Sequence, residues 1–187
     1  MATQLFPIFH VIIVPGLHDS SLGHWQSRWH QAHPEFSRVC QDDWDDPILP
    51  RWAACLDQVR WRDERPVLLV AHSFGALTAV HSIARDGANV AGALLVAPAD
   101  PDKFGVCALL PALPLPCPSI VVASTNDPWM QAARAAYWAR RWGSELVDAG
   151  PVGHINAESG LGDWPTGKAL LHRLAQRAHN GRLAFSA

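Results

Sequence analysis

The stretch VLLVAHSFGALTAVH, residues 67–81, places a serine between a run of apolar residues and an amphipathic segment. The apolar run is short and rich in β-branched residues, which is typical of a buried strand. The apolar positions of the second half recur every three or four residues, at Phe74, Leu77, Val80 and Ile83. This stretch therefore predicts a strand, a tight turn and a helix, the context in which the pattern G-x-S-x-G exposes a nucleophilic serine.

Two features of the stretch argue against a catalytic role for Ser73. Ala71 occupies the position of the first glycine in the pattern, and a serine before a helix often acts only as its N-cap. Alanine adds only one methyl group where strand and helix cross closely, and Gly75 preserves the second glycine. We therefore expect Ser73 to be a nucleophile in a slightly crowded turn.

Beyond this stretch, β-rich runs alternate with helical segments. The candidate strands are 9–16, 37–41, 65–72, 90–98, 118–125 and 144–150. Several of them lack polar alternation, as strands do in a parallel sheet that is covered on both faces. The sequence therefore predicts an α/β fold: a three-layer sandwich of about six parallel strands, with helices on both faces, in one domain over residues 1–187.

The helices are predicted from apolar spacing and from residues typical of helix ends. The predicted helices are 22–32, 51–62, 74–85, one that Pro128 opens and that Arg140 and Arg141 close, and one around 170–174. The first has candidate N-caps at Asp19, Ser20 and Ser21 and an apolar stripe at Leu22, Trp25 and Trp29.

Charge and composition argue against several kinds of partner. The chain has 15 basic and 17 acidic residues, a net charge of -2, so we expect neither a nucleic-acid partner nor a charged membrane partner. The first basic residue is Arg28, and the N-terminal apolar stretch is too short for a membrane span, so we expect a cytoplasmic protein. The four cysteines form no C-x-x-C pair and are expected to be reduced and mostly buried.

Candidate catalytic residues follow three of the predicted strands. Ser73 ends the third, Asp127 follows the fifth, and His154 follows the sixth. Ligands of parallel sheets bind beyond the carboxyl ends of the strands, and the order Ser, Asp, His is that of the α/β-hydrolases. In such a triad the imidazole removes the hydroxyl proton and the carboxylate holds the imidazole in place. Asp100, and more weakly Asp148, compete for the role of the acid.

The same arrangement predicts an oxyanion hole, made by the backbone amides of Leu17 and Phe74. Leu17 lies in the loop after the first strand, and Phe74 directly follows the serine. His18 and Trp129 are candidate substrate-binding residues. His72 precedes the nucleophile, and because neighbouring side chains of such a turn point apart, we expect it to pack against or support the site.

Other motifs give weaker indications of function. The histidines at 18, 24, 30 and 33 lack the spacing of metal ligands, so no metal is predicted. The acidic run QDDWDDP (41–47) fits a solvated turn as well as a role in substrate binding. The proline-rich segment 104–118 predicts a constrained loop with at most one short helix, too short for a cap domain. Its leucines suggest a small lid suited to an apolar acyl group.

Several stretches together resemble a known family. They are VPGLHDSSLGHWQ, QDDWDDP, VAHSFGA, VAPADP, ASTNDPW and GHINAESGLGDWPTG. They are similar to small serine hydrolases of the α/β-hydrolase superfamily, in the group that includes retinoblastoma-binding protein nine and the bacterial YdeN-like proteins. The resemblance implies a minimal hydrolase fold without a cap domain, a triad of Ser73, Asp127 and His154, and carboxylesterase-like activity.

One property of the mammalian relative is not expected in this chain. That protein binds a tumour suppressor through an L-x-C-x-E motif, whereas the nearest string here, LPCPS (115–119), ends in Ser119. No such protein partner is therefore predicted.

The sequence as a whole favours a serine hydrolase that needs no cofactor and acts on a small acyl substrate. We expect it to cleave small esters, with thioesters and amides as further candidates, through an acyl-enzyme on Ser73. Two alternatives stay open. One is a non-catalytic interaction module on the hydrolase fold, with tryptophans as interface anchors. The other is acyl transfer to an acceptor other than water.

Overall fold

Six strands form a single sheet at the centre of the computed structural model, which describes residues 6–185. The strands are β1 (His10–Val14), β2 (Ser37–Arg38), β3 (Val67–His72), β4 (Val90–Val96), β5 (Ser119–Ala123) and β6 (Glu145–Asp148). Their order is β2-β1-β3-β4-β5-β6, and every neighbouring pair is parallel. The predicted sheet is confirmed, and each strand lies within its predicted segment.

Five helices cover the two faces of this sheet. They are α1 (Trp25–Ala32), α2 (Leu49–Arg60), α3 (Phe74–Arg85), α4 (Ala132–Arg141) and α5 (Pro165–Phe185). Side chains of α2, α3 and α4 pack with Ile12 and Leu69 in one apolar core, and those of α1 and α5 pack with Val11 and Leu68 in another. Neighbouring strand residues thus enter opposite cores, because successive side chains of a strand point to opposite faces. The three-layer prediction is confirmed.

The central strands are buried because both of their faces are covered. Every residue of β1, β3 and β5 is buried. At the edge of the sheet, β6 alternates between half-buried and exposed residues. The absence of polar alternation in the central strands therefore reflects their position in the sheet.

Two predicted helix starts are wrong. Helix α1 begins at Trp25, and its N-cap is His24, whose Nδ1 accepts a hydrogen bond from the Gln26 amide at 3.1 Å. Leu22 is 93% exposed and belongs to no apolar stripe. Helix α4 begins at Ala132 rather than at Pro128, which lies in a turn before the helix.

The proline-rich segment 104–118 contributes several side chains to the core. Val106, Leu110 and Leu115 are buried against the α2–α4 face of the sheet. The carbonyl of Leu109 accepts a hydrogen bond from Nδ1 of His81 on α3, at 2.8 Å. Val106, Leu110 and Leu115 therefore fill the layer beside α3 and are not part of a lid, whereas Leu109 and Leu113 are 43% and 73% exposed. The segment contains the short 3-10 turn Cys107–Leu109, as predicted.

The cysteines differ in part from the expectation. All four are free thiols, but Cys40 is exposed and the other three are only partly buried. Cys40 is exposed because it follows the short edge strand β2, where the sheet ends. Of the helices within residues 6–185, none combines the length and the hydropathy of a membrane span.

Candidate active site

Ser73 lies at the sharp turn between β3 and α3. Its backbone has φ 54° and ψ -124°, a conformation that residues other than glycine rarely adopt. Ser73 occupies the N-cap position of α3, but its side chain makes no capping hydrogen bond. Its hydroxyl lies 2.9 Å from Nε2 of His154 instead. The turn therefore presents the hydroxyl to an imidazole and not to the helix backbone.

The loop after β1 passes very close to this turn. A Cβ on Gly75 would lie 2.2 Å from the carbonyl oxygen of Pro15, and a Cβ on Gly16 would lie 2.7 Å from Cβ of Ser73. Neither position has room for a side chain. The glycine that the sequence keeps at 75 is therefore required by the packing, and the loop that carries Leu17 is held beside the serine.

Asp127 and His154 complete a hydrogen-bonded chain with Ser73. Nδ1 of His154 lies 3.0 and 2.9 Å from the two carboxylate oxygens of Asp127. Because a carboxylate can only accept, Nδ1 carries the proton and Nε2 is left to accept the proton of the Ser73 hydroxyl. The side chains of His154 and Asp127 are only 9% and 2% exposed. The structure thus brings together the three side chains that were predicted as catalytic.

The two competing acids are engaged elsewhere. Asp100 caps the 3-10 turn Pro101–Phe104 and lies 3.4 Å from Nη2 of Arg134. Asp148 accepts a hydrogen bond from the amide of Gly150 at 2.7 Å. Of the three candidate carboxylates, only Asp127 contacts His154 within the described residues.

The amides predicted for the oxyanion hole are both unpaired. Within residues 6–185, the backbone N–H groups of Leu17 and Phe74 donate no hydrogen bond. Phe74 is the first residue of α3, where the helix itself offers its N–H no acceptor. Both N–H groups are therefore available as hydrogen-bond donors.

The two candidate substrate-binding residues flank the turn on opposite sides. His18 follows β1, and its Nδ1 lies 2.7 Å from a carboxylate oxygen of Asp45 in the acidic run. Both side chains are mostly exposed. Trp129 follows β5, and its ring centroid lies 6.5 Å from that of His154. It is 58% exposed and borders an open hollow of about 370 Å³ next to His154.

Comparisons with known proteins place the chain in a family. The sequence model of the serine hydrolase family matches residues 11–173. The chain belongs to the serine hydrolase family. Among solved structures, this serine hydrolase is similar to a protein described as a YdeN-like hydrolase from Pectobacterium atrosepticum. The two are 42% identical, the match covers 95% of this chain and 94% of the other, and the TM-score is 0.88. The resemblance to the YdeN-like hydrolases is thus confirmed.

Two further structures share the fold at lower identity. The ydeN gene product of B. subtilis is 17% identical, with 89% of this chain and 98% of the other covered and a TM-score of 0.73. The esterase domain of a Rhodothermus marinus protein is 14% identical, with 94% and 90% covered and a TM-score of 0.65. No significant match is found among curated protein sequences.

Two further histidines, His72 and His24, lie near the His154 imidazole of this serine hydrolase. His72 is buried, and its Nε2 donates to the backbone carbonyl of His154 at 2.9 Å. The ring of His24 packs 4.7 Å from that of His72. Burial lowers the pKa of His24 to about 4, with a contribution from nearby Arg38. Burial, with the neighbouring imidazoles, holds the pKa of His72 well below its usual range. Both rings are therefore neutral at pH 7, and the supporting contact expected of His72 is present.

The histidines at 18, 24, 30 and 33 were also considered as possible metal ligands. In the part of the chain that the structure describes, no three His, Cys, Asp or Glu side chains gather as metal ligands would. His24 instead caps α1 through Nδ1.

Sequence reasoning missed two polar side chains beside the site. Ser124 and Asn126 follow β5 directly, and both accept hydrogen bonds from the backbone of the loop that carries His154. Their signal in the sequence is the polar cluster in ASTNDPW, of which only Asp127 was assigned a role.

Proposed function

We propose that this serine hydrolase cleaves small esters through an acyl-enzyme on Ser73. The observation that carries the proposal is the chain of hydrogen bonds from the Ser73 hydroxyl through His154 to the Asp127 carboxylate. A serine hydroxyl becomes a strong nucleophile when an oriented imidazole removes its proton as it attacks. The buried carboxylate then stabilises the imidazolium that forms.

The proposed reaction has two halves. In the first, Oγ of Ser73 attacks the ester carbonyl and Nε2 of His154 takes the hydroxyl proton. The tetrahedral oxyanion accepts hydrogen bonds from the amides of Leu17 and Phe74. As it collapses, Nε2 returns the proton to the leaving alkoxide. In the second half a water molecule attacks the acyl group, again with Nε2 as base, and the carboxylic acid and free Ser73 are released.

The surroundings of Ser73 favour a small apolar acyl group. Leu17, Trp44 and Phe104 are partly buried hydrophobic residues packed on the α2–α4 core. The Phe104 ring lies 4.9 Å from the ring of Phe74, next to the serine. The similarity in fold to an esterase domain supports ester chemistry. Thioesters and amides with the same acyl group are secondary candidates, because the same triad would attack their carbonyl carbon.

The proposal is tested by labelling with a fluorophosphonate and by turnover of p-nitrophenyl acetate. We expect the wild type to be labelled once, at Ser73 by mass spectrometry, and Ser73→Ala to lose labelling and turnover. In a well-studied triad the loss of the serine lowers kcat by on the order of a millionfold. Ser21→Ala removes an exposed hydroxyl from a neighbouring loop and should behave as the wild type.

Two results would contradict the proposal. Folded wild-type protein that takes up no label would favour the non-catalytic interaction module. Ser73→Ala that keeps more than a tenth of the turnover would move the nucleophile to another residue. Adding alcohols as competing acceptors to the same assay separates hydrolysis from acyl transfer.

A further inference from the structure

Asp127 and His154 belong to two loops, after β5 and β6, which are joined by a backbone hydrogen bond, Thr125 N to Gly150 O at 3.1 Å, and by three side-chain contacts to consecutive residues of the second loop. We call the three side-chain contacts the loop ladder. Its rungs are Ser124 Oγ to Val152 N at 3.0 Å, Asn126 Oδ1 to Gly153 N at 2.7 Å, and the Asp127 carboxylate to His154 Nδ1 at 2.9 and 3.0 Å. The acid–base pair is thus the last rung of a ladder whose other rungs join side chains to backbone amides.

The first two rungs are themselves linked. The hydroxyl of Ser124 donates to Oδ1 of Asn126 at 2.9 Å while it accepts from Val152. Ser124 is only 1% exposed, so its hydroxyl is fixed between these partners. On the other side of the loop, the Ser159 hydroxyl donates to the carbonyl of Val152 at 2.6 Å. The backbone just before His154 is therefore held from two sides.

The middle rung is the one next to the acid and the base in both loops. Asn126 precedes Asp127, and Gly153 precedes His154 in a turn with φ 66°. A change in this rung would move the imidazole relative to the carboxylate, and small displacements of reacting groups lower rates strongly. We propose that Asn126, fixed by Ser124, is a positioning residue that sets the distance between Asp127 and His154. This inference rests on the proposed function.

The exposed position of Asn126 raises a second interpretation, which the experiment must separate from the first. Its Nδ2 donates to no acceptor within residues 6–185, so it could instead contact a substrate directly. A positioning residue acts on kcat, because it affects the reacting groups of the bound complex. A substrate contact that is the same in the ground and transition states acts on KM.

The test compares Asn126→Leu, which keeps the shape but removes the acceptor, with Asn126→Asp, which keeps an acceptor oxygen. We expect Asn126→Leu to lower kcat by about 10- to 100-fold, with KM within about twofold of the wild type. Asn126→Asp should recover most of kcat at alkaline pH. Because its additional carboxylate favours a charged imidazole nearby, the rising limb of its pH–rate profile should move to higher pH.

Ser124→Ala provides a second variant in case Asn126→Leu does not fold. It should lower kcat in the same way but less, because Asn126 loses only one of its two donors. The double variant Ser124→Ala with Asn126→Leu should lose less than the product of the two single losses, because both residues act on the same loop. Circular dichroism and thermal unfolding establish that each variant is folded before its kinetics are compared.

The outcomes distinguish this inference from the proposed function. If the wild type is not labelled by fluorophosphonate at Ser73, the proposed function fails. If it is labelled and folded Asn126→Leu has the kcat of the wild type, the positioning role alone fails. A higher KM with unchanged kcat would make Asn126 a substrate contact, and an inactive Asn126→Asp at every pH would show that the acceptor oxygen is not what matters.

Discussion

Gly75 follows Ser73 by two residues and lies directly against the loop after β1. A Cβ there would be 2.2 Å from the carbonyl oxygen of Pro15 and 2.4 Å from that of Val14. Both atoms belong to the backbone, so they cannot rotate away as a side chain would. Gly75→Ala must therefore displace either α3 or the loop that carries the Leu17 amide.

We expect Gly75→Ala to lower the rate of fluorophosphonate labelling by about 100-fold, the effect of losing one oxyanion donor. Ala71→Gly is the matched control at the other end of the same turn. It removes one buried methyl group and adds backbone freedom, at a cost of about 1–2 kcal/mol in unfolding free energy. Its labelling rate should stay close to that of the wild type. Equal labelling rates in Gly75→Ala and the wild type would show that the loop can shift without slowing the reaction at Ser73.

The three side chains at the centre of the site were predictable because each follows a strand that the sequence predicts, two of them fully buried and the third, β6, at the edge of the sheet. The carboxyl ends of parallel strands meet at one edge, so Ser73, Asp127 and His154 had to approach one another. The roles of Ser124 and Asn126 were not predictable in the same way. Their partners are backbone amides 28 and 27 residues away. Every residue except proline has a backbone amide, so the residue type does not indicate which amides these side chains will bind.

At the scale of the helices, tertiary contacts decide boundaries that local patterns leave open. Helix α3 was predicted in full, because its apolar face packs on the sheet and is regular from end to end. For α1, two of the three expected caps make other hydrogen bonds. Asp19 accepts a hydrogen bond from Arg38 at 2.6 Å, and Ser20 donates to Oε1 of Gln26 at 2.8 Å. The helix therefore begins later, at Trp25, and its N-cap is His24, a residue type that is not among the usual N-caps.

The cap of α1 gives the protein a pH-dependent element. Nδ1 of His24 accepts from the backbone, and the ring is buried, with a pKa lowered to about 4 from the usual 6.5. A proton on Nδ1 would remove the cap and place a positive charge at the positive end of the helix dipole. Because the unfolded chain binds this proton more readily, the contribution of His24 to folding is complete above pH 6.5 and declines as the pH falls towards 4.

We expect unfolding free energy to fall by about 1.4 kcal/mol for each pH unit in this window for His24 alone. His24→Asn keeps a good N-cap but removes the titrating group. The variant should therefore lose less stability than the wild type between pH 6.5 and 4.5, although it loses ring packing at every pH. Urea unfolding at several pH values measures both curves. Parallel curves for the two proteins would show that His24 is protonated equally in the folded and unfolded states.

At the scale of the whole molecule, a buried polar cluster around Arg60 lies at the amino ends of the strands, opposite the carboxyl ends that carry the candidate site. Arg60 ends α2 and is completely buried. Its guanidinium donates to the Asp57 carboxylate at 3.0 Å, to the Ser82 hydroxyl at 2.7 Å and to Oδ1 of Asn89 at 2.7 Å. These residues join α2, α3 and the turn before β4. The cluster therefore joins three elements of the fold at the amino ends of the strands, and none of these hydrogen bonds involves Ser73, Asp127 or His154.

Mutations in the Arg60 cluster should change stability without changing turnover at the candidate site. Arg60→Met keeps the length of the side chain but leaves Oδ1 of Asn89 without a donor and breaks the ion pair with Asp57, which keeps only the Ser82 hydroxyl and the more distant Arg85 as partners. Breaking a buried ion pair in this way costs about 3–5 kcal/mol, a large share of the roughly 5–15 kcal/mol that stabilises a typical domain. Because the cluster lies at the amino ends of the strands, we expect kcat/KM per labelled active site to stay within about twofold of the wild type.

Urea unfolding and active-site titration with fluorophosphonate test this separation on the same samples. Arg62→Met, at an exposed arginine two residues further along, should change unfolding free energy by only about 0.5 kcal/mol or less. If Arg60→Met lowers kcat/KM per labelled site as strongly as it lowers stability, the Arg60 cluster and the candidate site are coupled through α3. Ser73 occupies the N-cap of that helix and Ser82 lies near its end, so α3 is the element through which such coupling would pass.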